Sequence, residues 1–111
     1  MDDAIDAARF LQEQGAKNIL VTLGSYGSVF VPADGSEVLR QKAFKVDNVV
    51  DTTGAGDCYR GAFAIAYAEG RTMHDCMRRA AAASALCVQR PGALPSLPSA
   101  EEVAAFLKPT D

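Results

Sequence analysis

The chain has 111 residues, of which 49% are hydrophobic, and this length and composition fit one folded domain with a real core. Its formal net charge of −3 at pH 7 and its scattered basic residues argue against a general nucleic-acid-binding protein, which would carry a basic face. The start is acidic and no apolar run reaches the roughly 18 residues that a membrane span needs, so we expect a cytoplasmic protein without a signal peptide and without a membrane partner.

The first part of the chain predicts one helix and then a group of strands. Residues 3–14 form an amphipathic pattern that ends at Gly15, as is typical of a helix. The apolar run Ile19-Leu20-Val21 within residues 18–23 predicts a strand. Two further strands, over residues 28–31 and 37–44, are expected to form a hairpin.

The strand over residues 18–23 lacks alternation of apolar and polar side chains. Such a strand is normally covered on both faces and flanked by parallel neighbours. The chain contains few strands that could be those neighbours. We therefore expect its sheet to be completed by residues outside this chain.

A strand-like apolar run containing Val46, Val49 and Val50 leads into a Gly-Ala-Gly turn at residues 54–56. A helical pattern follows this turn and extends to about Glu69. The predicted order is thus strand, glycine-rich turn and helix.

The last part of the chain predicts two more helices. One covers residues 72–89, where Thr72 and Asp75 resemble a capping pair. The Pro- and Gly-rich stretch over residues 90–98 is predicted to be a loop, after which Ser99 caps a last helix.

The three cysteines, Cys58, Cys76 and Cys87, are odd in number and lack CxxC spacing. Two of them fall within helical patterns. We therefore interpret them as buried thiols of a protein in a reducing compartment, rather than as metal ligands or a redox pair.

Residues 50–57 read Val-Asp-Thr-Thr-Gly-Ala-Gly-Asp and are the most informative segment of the chain. Glycines let the backbone come close to a ligand, and the free N–H groups at the start of the following helix favour an anion. Asp57 would repel a phosphate if holding phosphate were the only task of this turn. A carboxylate is useful there if it takes a proton from a hydroxyl that attacks the phosphate, which indicates a kinase.

Three segments together resemble the C-terminal part of the ribokinase-like family of PfkB carbohydrate kinases. The Gly-Ala-Gly-Asp segment is similar to a signature of that family, the upstream segment over residues 22–27 (Thr-Leu-Gly-Ser-Tyr-Gly) to its nucleotide-binding turn, and residues 90–96 to a downstream loop. The resemblance implies an α/β fold, namely the C-terminal portion of a three-layer α/β/α architecture. Residues 1–111 would then form a single partial domain that lacks the N-terminal substrate and lid part.

The resemblance also implies an activity, the ATP-dependent phosphorylation of a sugar hydroxyl, with D-ribose to D-ribose 5-phosphate as the favoured reaction. Asp57 would be the catalytic base and would contact the sugar hydroxyl. Backbone N–H groups would form an anion hole for the transferred phosphate. The anion hole is assigned to Gly54, Ala55 and Gly56, and the contacts with ATP to Thr22, Leu23, Gly24, Ser25, Tyr26, Gly27, Gly56 and Asp57.

Family resemblance further implies two kinds of metal ion. Mg²⁺ would accompany ATP, and the family motif tied to it belongs to the part that is absent here. A monovalent cation, K⁺, would lie next to the anion hole and order the loop around it, although Asp51 could instead only cap the turn. The implied cation ligands are Asp51, Thr53, Cys87, Arg90, Gly92 and Ser96.

One position departs from the family pattern, because Ala81 stands where a His or Asn commonly lies near the adenine. Two alternatives to the ribose kinase also stay open. The acceptor could be another sugar or a nucleoside, or the chain could be a non-catalytic nucleotide-binding or association module. The expected partners are ATP, a small sugar, and either a second copy of the chain or the missing N-terminal part.

Overall fold

A computed structural model describes residues 2–89 and 100–107. The chain divides into two compact units, Met1–Lys42 and Ala43–Asp111, and each unit is described by itself below. The expectation of a single partial domain over residues 1–111 stays a prediction.

The N-terminal unit contains one helix and a small antiparallel sheet. The strands follow one another in the sheet in chain order, so that the second strand is central. The elements are helix α1 (Asp2–Glu13), strand β1 (Ile19–Thr22), a 3₁₀ turn (Gly24–Tyr26), strand β2 (Ser28–Val31) and strand β3 (Leu39–Gln41). The hairpin predicted for β2 and β3 is confirmed, with Phe30 opposite Leu39, although β3 is shorter than expected.

Hydrogen bonds join the helix and the loops of this unit to the central strand. The Gln12 side chain on α1 donates from Nε2 to the Val31 carbonyl oxygen at 2.9 Å. Asn18 accepts from the Ala33 N–H at 2.8 Å through Oδ1, which fixes the chain on either side of the β1–β2 pair. Val29 and Val31 are fully buried, so β2 supplies the apolar centre around which these contacts are arranged.

The parallel neighbours of the strand at residues 18–23 were expected outside this chain, and that expectation stays a prediction; within the described residues β1 lies at an edge of the sheet. The neighbour of β1 is β2, which runs antiparallel with Ile19 opposite Val31. A tight turn suffices to join antiparallel strands, whereas a parallel pair needs a crossover of about a dozen residues or more. The short 3₁₀ turn between β1 and β2 allows only the antiparallel pair.

The C-terminal unit is helical among its described residues. Its elements are helix α2 (Ala55–Ala68), helix α3 (Met73–Cys87) and helix α4 (Ala100–Leu107). The predicted ends of the second and third helices are confirmed to within two residues, because local signals set them: Gly70 takes a positive φ of 80° after α2, and Thr72 caps α3. The predicted loop over residues 90–98 and the cap Ser99 lie outside the described residues.

The strand predicted before the Gly-Ala-Gly turn is wrong, because residues 42–54 contain no strand. The N–H groups of Val50 and Asp51 both donate to the Val88 carbonyl oxygen, at 2.7 and 3.0 Å, so they meet the end of α3 rather than a neighbouring strand. Val49 and Val50 are 57% and 50% exposed. An apolar run becomes a strand only where a partner strand accepts its hydrogen bonds.

Alanines let the helices of this unit pack closely. Four consecutive alanines of α3, residues 80–83, are buried, as expected for a packing face. Ala82 and Ala83 form a core cluster with residues of α4, and the Phe44 and Phe106 rings meet edge-to-face beside it with centroids 5.3 Å apart. Within the described residues, no helix has both the length and the apolar character that crossing a bilayer requires.

The interpretation of the cysteines as buried thiols is confirmed, since Cys58, Cys76 and Cys87 form no disulfide and are at most 3% exposed. Burial, helped by the charge of nearby Asp75, raises the pKa of the Cys76 thiol. A thiol of this kind is inert packing material rather than a nucleophile.

The Thr72 cap provides a direct test of the α3 boundary. Its hydroxyl oxygen accepts from the Asp75 N–H at 3.2 Å. We expect Thr72→Ala to lower the free energy of unfolding by about 1 kcal/mol, because one orphan N–H group of the helix loses its partner. Thr72→Ser keeps the acceptor and should lose much less in urea unfolding. Equal losses in the two variants would contradict the capping role.

Candidate active site at the start of helix α2

A glycine in the left-handed conformation starts helix α2. Gly54 has φ 81° and ψ −3°, and its carbonyl oxygen accepts from the Cys58 N–H at 2.8 Å, which closes the first helical turn. This conformation costs other L-residues about 1–2 kcal/mol. The turn therefore needs glycine at position 54.

The backbone N–H groups of this turn differ in their partners. The Ala55 N–H donates to the Thr52 carbonyl oxygen at 3.2 Å. For the N–H groups of Gly54, Gly56 and Asp57, the described residues provide no acceptor. Unsatisfied N–H groups at the positive end of a helix dipole favour an anion. Two of the three N–H groups predicted to form an anion hole are thus available, and Ala55 would have to release Thr52.

Asp57 lies in the first turn of α2, and its side chain is 73% exposed. The carboxylate pairs with the Arg60 guanidinium one turn later, with Oδ1 and Nη2 2.5 Å apart. An exposed pair of this kind contributes about 0–1 kcal/mol. The carboxylate can therefore exchange Arg60 for an incoming hydroxyl group at little cost.

Side chains near the end of α3 contact the backbone at the start of α2. The Ser84 hydroxyl donates to the Ala55 carbonyl oxygen at 3.0 Å, and the Cys87 Sγ lies 3.9 Å from the Thr53 carbonyl oxygen. Sequence reasoning missed Ser84. The available signal was a single hydroxyl group inside an otherwise alanine-rich helix.

Three of the residues predicted to bind a monovalent cation lie in this region. Asp51 Oδ1 accepts from the Thr53 N–H at 2.8 Å, which is the turn-capping contact considered as the alternative. Thr53 in turn meets Cys87, as described above. The other three predicted ligands, Arg90, Gly92 and Ser96, lie outside the described residues. The described part of the chain contains no group of three or more His, Cys, Asp or Glu side chains that could hold a metal ion.

The predicted nucleotide-binding turn belongs to the N-terminal unit. It begins at the end of β1, forms the 3₁₀ turn and is closed by the Leu23 N–H, which donates to the Gly27 carbonyl oxygen at 2.7 Å. Gly24 and Gly27 both have positive φ values, 58° and 104°. Open space surrounds Gly24, and Tyr26 is 77% exposed. Residues 22–27 thus present an accessible, tightly turned backbone with an aromatic ring.

A groove of about 530 Å³ extends from Asp57 along α2, α3 and α4. Apolar side chains form most of its lining, including Ile65 and Val103, and charged residues such as Glu69 and Arg79 also line it. The groove brings Asp57 next to an apolar surface within the C-terminal unit.

Comparisons with known proteins identify the family of this chain. Residues 1–100 match the model of the pfkB family carbohydrate kinases. The chain is 47% identical over 94 residues to a ribokinase of Arabidopsis thaliana. The aligned region covers 85% of this chain and 24% of that protein.

Two solved structures match the fold as well. A structure of Arabidopsis thaliana ribokinase complexed with ribose and ATP matches with a TM-score of 0.89 and 44% identity, over 93% of this chain and 33% of that one. A protein named ribokinase II from E. coli, in complex with ATP and Mg²⁺, matches with a TM-score of 0.84 and 30% identity, over 94% of this chain and 33% of that one. The chain thus spans about a third or less of these relatives and has their α/β fold over that span. It belongs to the pfkB family of carbohydrate kinases.

Proposed function

We propose that this chain is the base- and phosphate-binding part of an ATP-dependent sugar kinase, with D-ribose to D-ribose 5-phosphate as the reaction. The observation that carries this proposal is the first turn of α2, where an exposed carboxylate and unsatisfied backbone N–H groups occur together. The similarity to ribokinases over most of the chain supports ribose as the acceptor.

In the proposed reaction Asp57 accepts the proton of the sugar's primary hydroxyl. The hydroxyl oxygen then forms a bond with the γ-phosphorus of ATP, the bond to the β-phosphate oxygen breaks, and ADP leaves. General base catalysis of this kind contributes about 10²–10⁴-fold. The N–H groups of Gly54 and Gly56 would stabilise the charge on the transferred phosphate, and Ala55 would join them after releasing Thr52.

Residues 22–27 would contact the nucleotide, since their glycines leave the backbone accessible and Tyr26 is exposed. Mg²⁺ would neutralise phosphate charge when ATP binds, as the match to an ATP- and Mg²⁺-bound relative supports. Asp51 and the carbonyl groups of Thr53 and Cys87 offer hard oxygen atoms that suit K⁺. That ion would order the loop before α2.

The sugar pocket is assigned to the part of the family fold that this chain does not span. We propose that this part, in the same longer protein or as a separate chain, associates with the exposed apolar residues of α2, such as Ile65 and Tyr67, which are 61% and 63% exposed. The open edge of β1 is a second surface for it, since β1 pairs only with β2 among the described strands. A homodimer would use the same surfaces.

The test is ATP consumption with D-ribose, with and without K⁺, by the 111-residue chain and by a version extended upstream. We expect turnover only in the extended form, because orientation of the sugar hydroxyl supplies much of the rate. Turnover should be faster with K⁺, since that ion would order the loop before α2. Turnover with another sugar or a nucleoside, but not with ribose, would contradict the acceptor. Failure of both forms to bind ATP would contradict the kinase and favour an association module.

A further inference from the structure

The Ala55–Gly56 peptide group is held from its carbonyl side by helix α3. The Ser84 hydroxyl donates to the Ala55 carbonyl oxygen at 3.0 Å, across 29 residues of sequence. A trans peptide is planar, and its N–H points away from its C=O. The contact therefore fixes the direction of the Gly56 N–H, which faces away from the side on which Ser84 binds.

The Thr53–Gly54 peptide group has a similar contact. Cys87 Sγ lies 3.9 Å from the Thr53 carbonyl oxygen, and the N–H of this peptide belongs to Gly54. Ser84 and Cys87 are three residues apart on α3 and therefore share one face of the helix. Since a thiol is a weak donor, the contact from Ser84 is the stronger of the two.

The peptide between these two is arranged differently. The Gly54 carbonyl oxygen accepts from the Cys58 N–H, and the Ala55 N–H donates to Thr52, so both of its polar groups are used inside the turn. Both peptides that α3 holds carry an N–H group with no acceptor among the described residues. The Asp57 N–H is a third such group, and α3 does not hold its peptide, so the contacts from α3 meet two of the three donors that are free to bind a ligand.

We propose that Ser84 is a positioning residue for phosphate binding, which directs the Gly56 N–H toward the anion, with Cys87 acting more weakly on Gly54. This inference rests on the proposed function, because that function assigns the two N–H groups to the transferred phosphate. A donor at the carbonyl oxygen also polarises the amide. The hydrogen bond that its N–H donates then becomes stronger, by roughly 10–30%. A fixed donor needs no reorganisation when charge develops on the phosphate.

A merely structural contact would stabilise the fold without changing anion affinity, so the test measures both. Isotope-labelled 111-residue chain is titrated with inorganic tripolyphosphate while the amide resonances of Gly54 and Gly56 are followed by NMR. We expect Ser84→Ala to bind about 3- to 10-fold more weakly, the range expected for one hydrogen bond. The shift of the Gly56 resonance at saturation should also be smaller.

Matched variants separate the hydrogen bond from packing. Threonine and valine side chains have nearly the same shape, and only threonine has a hydroxyl group. The Ser84→Thr variant should therefore bind tripolyphosphate more tightly than the Ser84→Val variant, even if Ser84→Ala alters the packing of the helices. Gln89→Ala removes a different side-chain bond, in which Gln89 Nε2 donates to the Ala85 carbonyl oxygen of α3, and should leave the affinity unchanged.

The outcomes distinguish this inference from the function on which it rests. If the wild-type Gly56 resonance responds and all Ser84 variants bind equally well, the positioning role is overturned and the anion site stands. If neither glycine resonance responds in the wild-type chain, the anion site itself is wrong, and the role of Ser84 fails with it.

Discussion

Asp57→Asn is expected to lower phosphoryl transfer by about 10²–10⁴-fold, the usual contribution of a general base. Asparagine has almost the same shape, and its side-chain oxygen can still accept from Arg60. The amide cannot take a proton from the attacking hydroxyl, however, so only the chemical step should fail. ATP affinity should stay the same or rise, because the variant removes a negative charge next to bound phosphate.

The measurement is kcat and the dissociation constant of ATP in the upstream-extended form. Asp6→Asn is a matched control, since Asp6 is also an exposed helical aspartate and its replacement removes the same charge from α1. We expect this control to keep full turnover. Unchanged turnover in Asp57→Asn would rule out Asp57 as the base, whereas a parallel loss of ATP binding would mean that its contact with ATP, rather than proton transfer, explains the lost turnover.

The stability of the Asp57→Asn variant should remain close to that of the wild-type chain. Asp57 and Arg60 are 73% and 68% exposed, so their ion pair contributes about 1 kcal/mol at most. A large loss of stability would mean that the carboxylate is structural. The thermal unfolding of the Asp57→Asn variant should therefore be measured together with its turnover.

The helices could be predicted from the sequence because local signals mark their ends. Gly15 and Gly70 follow helices and take positive φ values that glycine tolerates, and Thr72 caps α3 by its own hydroxyl group. Each of these signals acts within a few residues. The sequence of the glycine-rich turn likewise predicted that a helix would start there with an acidic residue in its first turn.

The features that sequence reasoning missed depend on distant partners. The apolar run that ends at Val50 looked like a strand, but its N–H groups meet Val88 at the end of α3. Sequence reasoning assigned no role to Ser84, and only its contact with the Ala55 carbonyl oxygen places it beside the glycine-rich turn. No local pattern records which backbone group a side chain will meet 29 residues away.

Gly56→Ala is expected to raise stability and lower activity, an opposite pair of effects that a purely structural glycine would not give. The φ of Gly56 is not positive, and an added Cβ would meet only the end of the Arg60 side chain, at 3.7 Å. Alanine inside a helix gains roughly 0.5–1 kcal/mol over glycine, so unfolding should need more heat or more urea. The fold itself thus gives no reason for glycine at position 56.

A ligand gives such a reason, because a methyl group there would prevent a phosphate from approaching the N–H. We expect kcat/KM to fall by roughly 10²-fold, as when one donor of an oxyanion hole is lost. Gly61→Ala is the matched control, and its stability and ATP affinity are measured beside those of Gly56→Ala. It lies in the same helix, its added Cβ would meet nothing within 4 Å, and it should gain similar stability without weakening ATP binding. If Gly56→Ala became more stable and kept full activity, phosphate would not approach this part of the turn, and the anion site would have to be sought elsewhere.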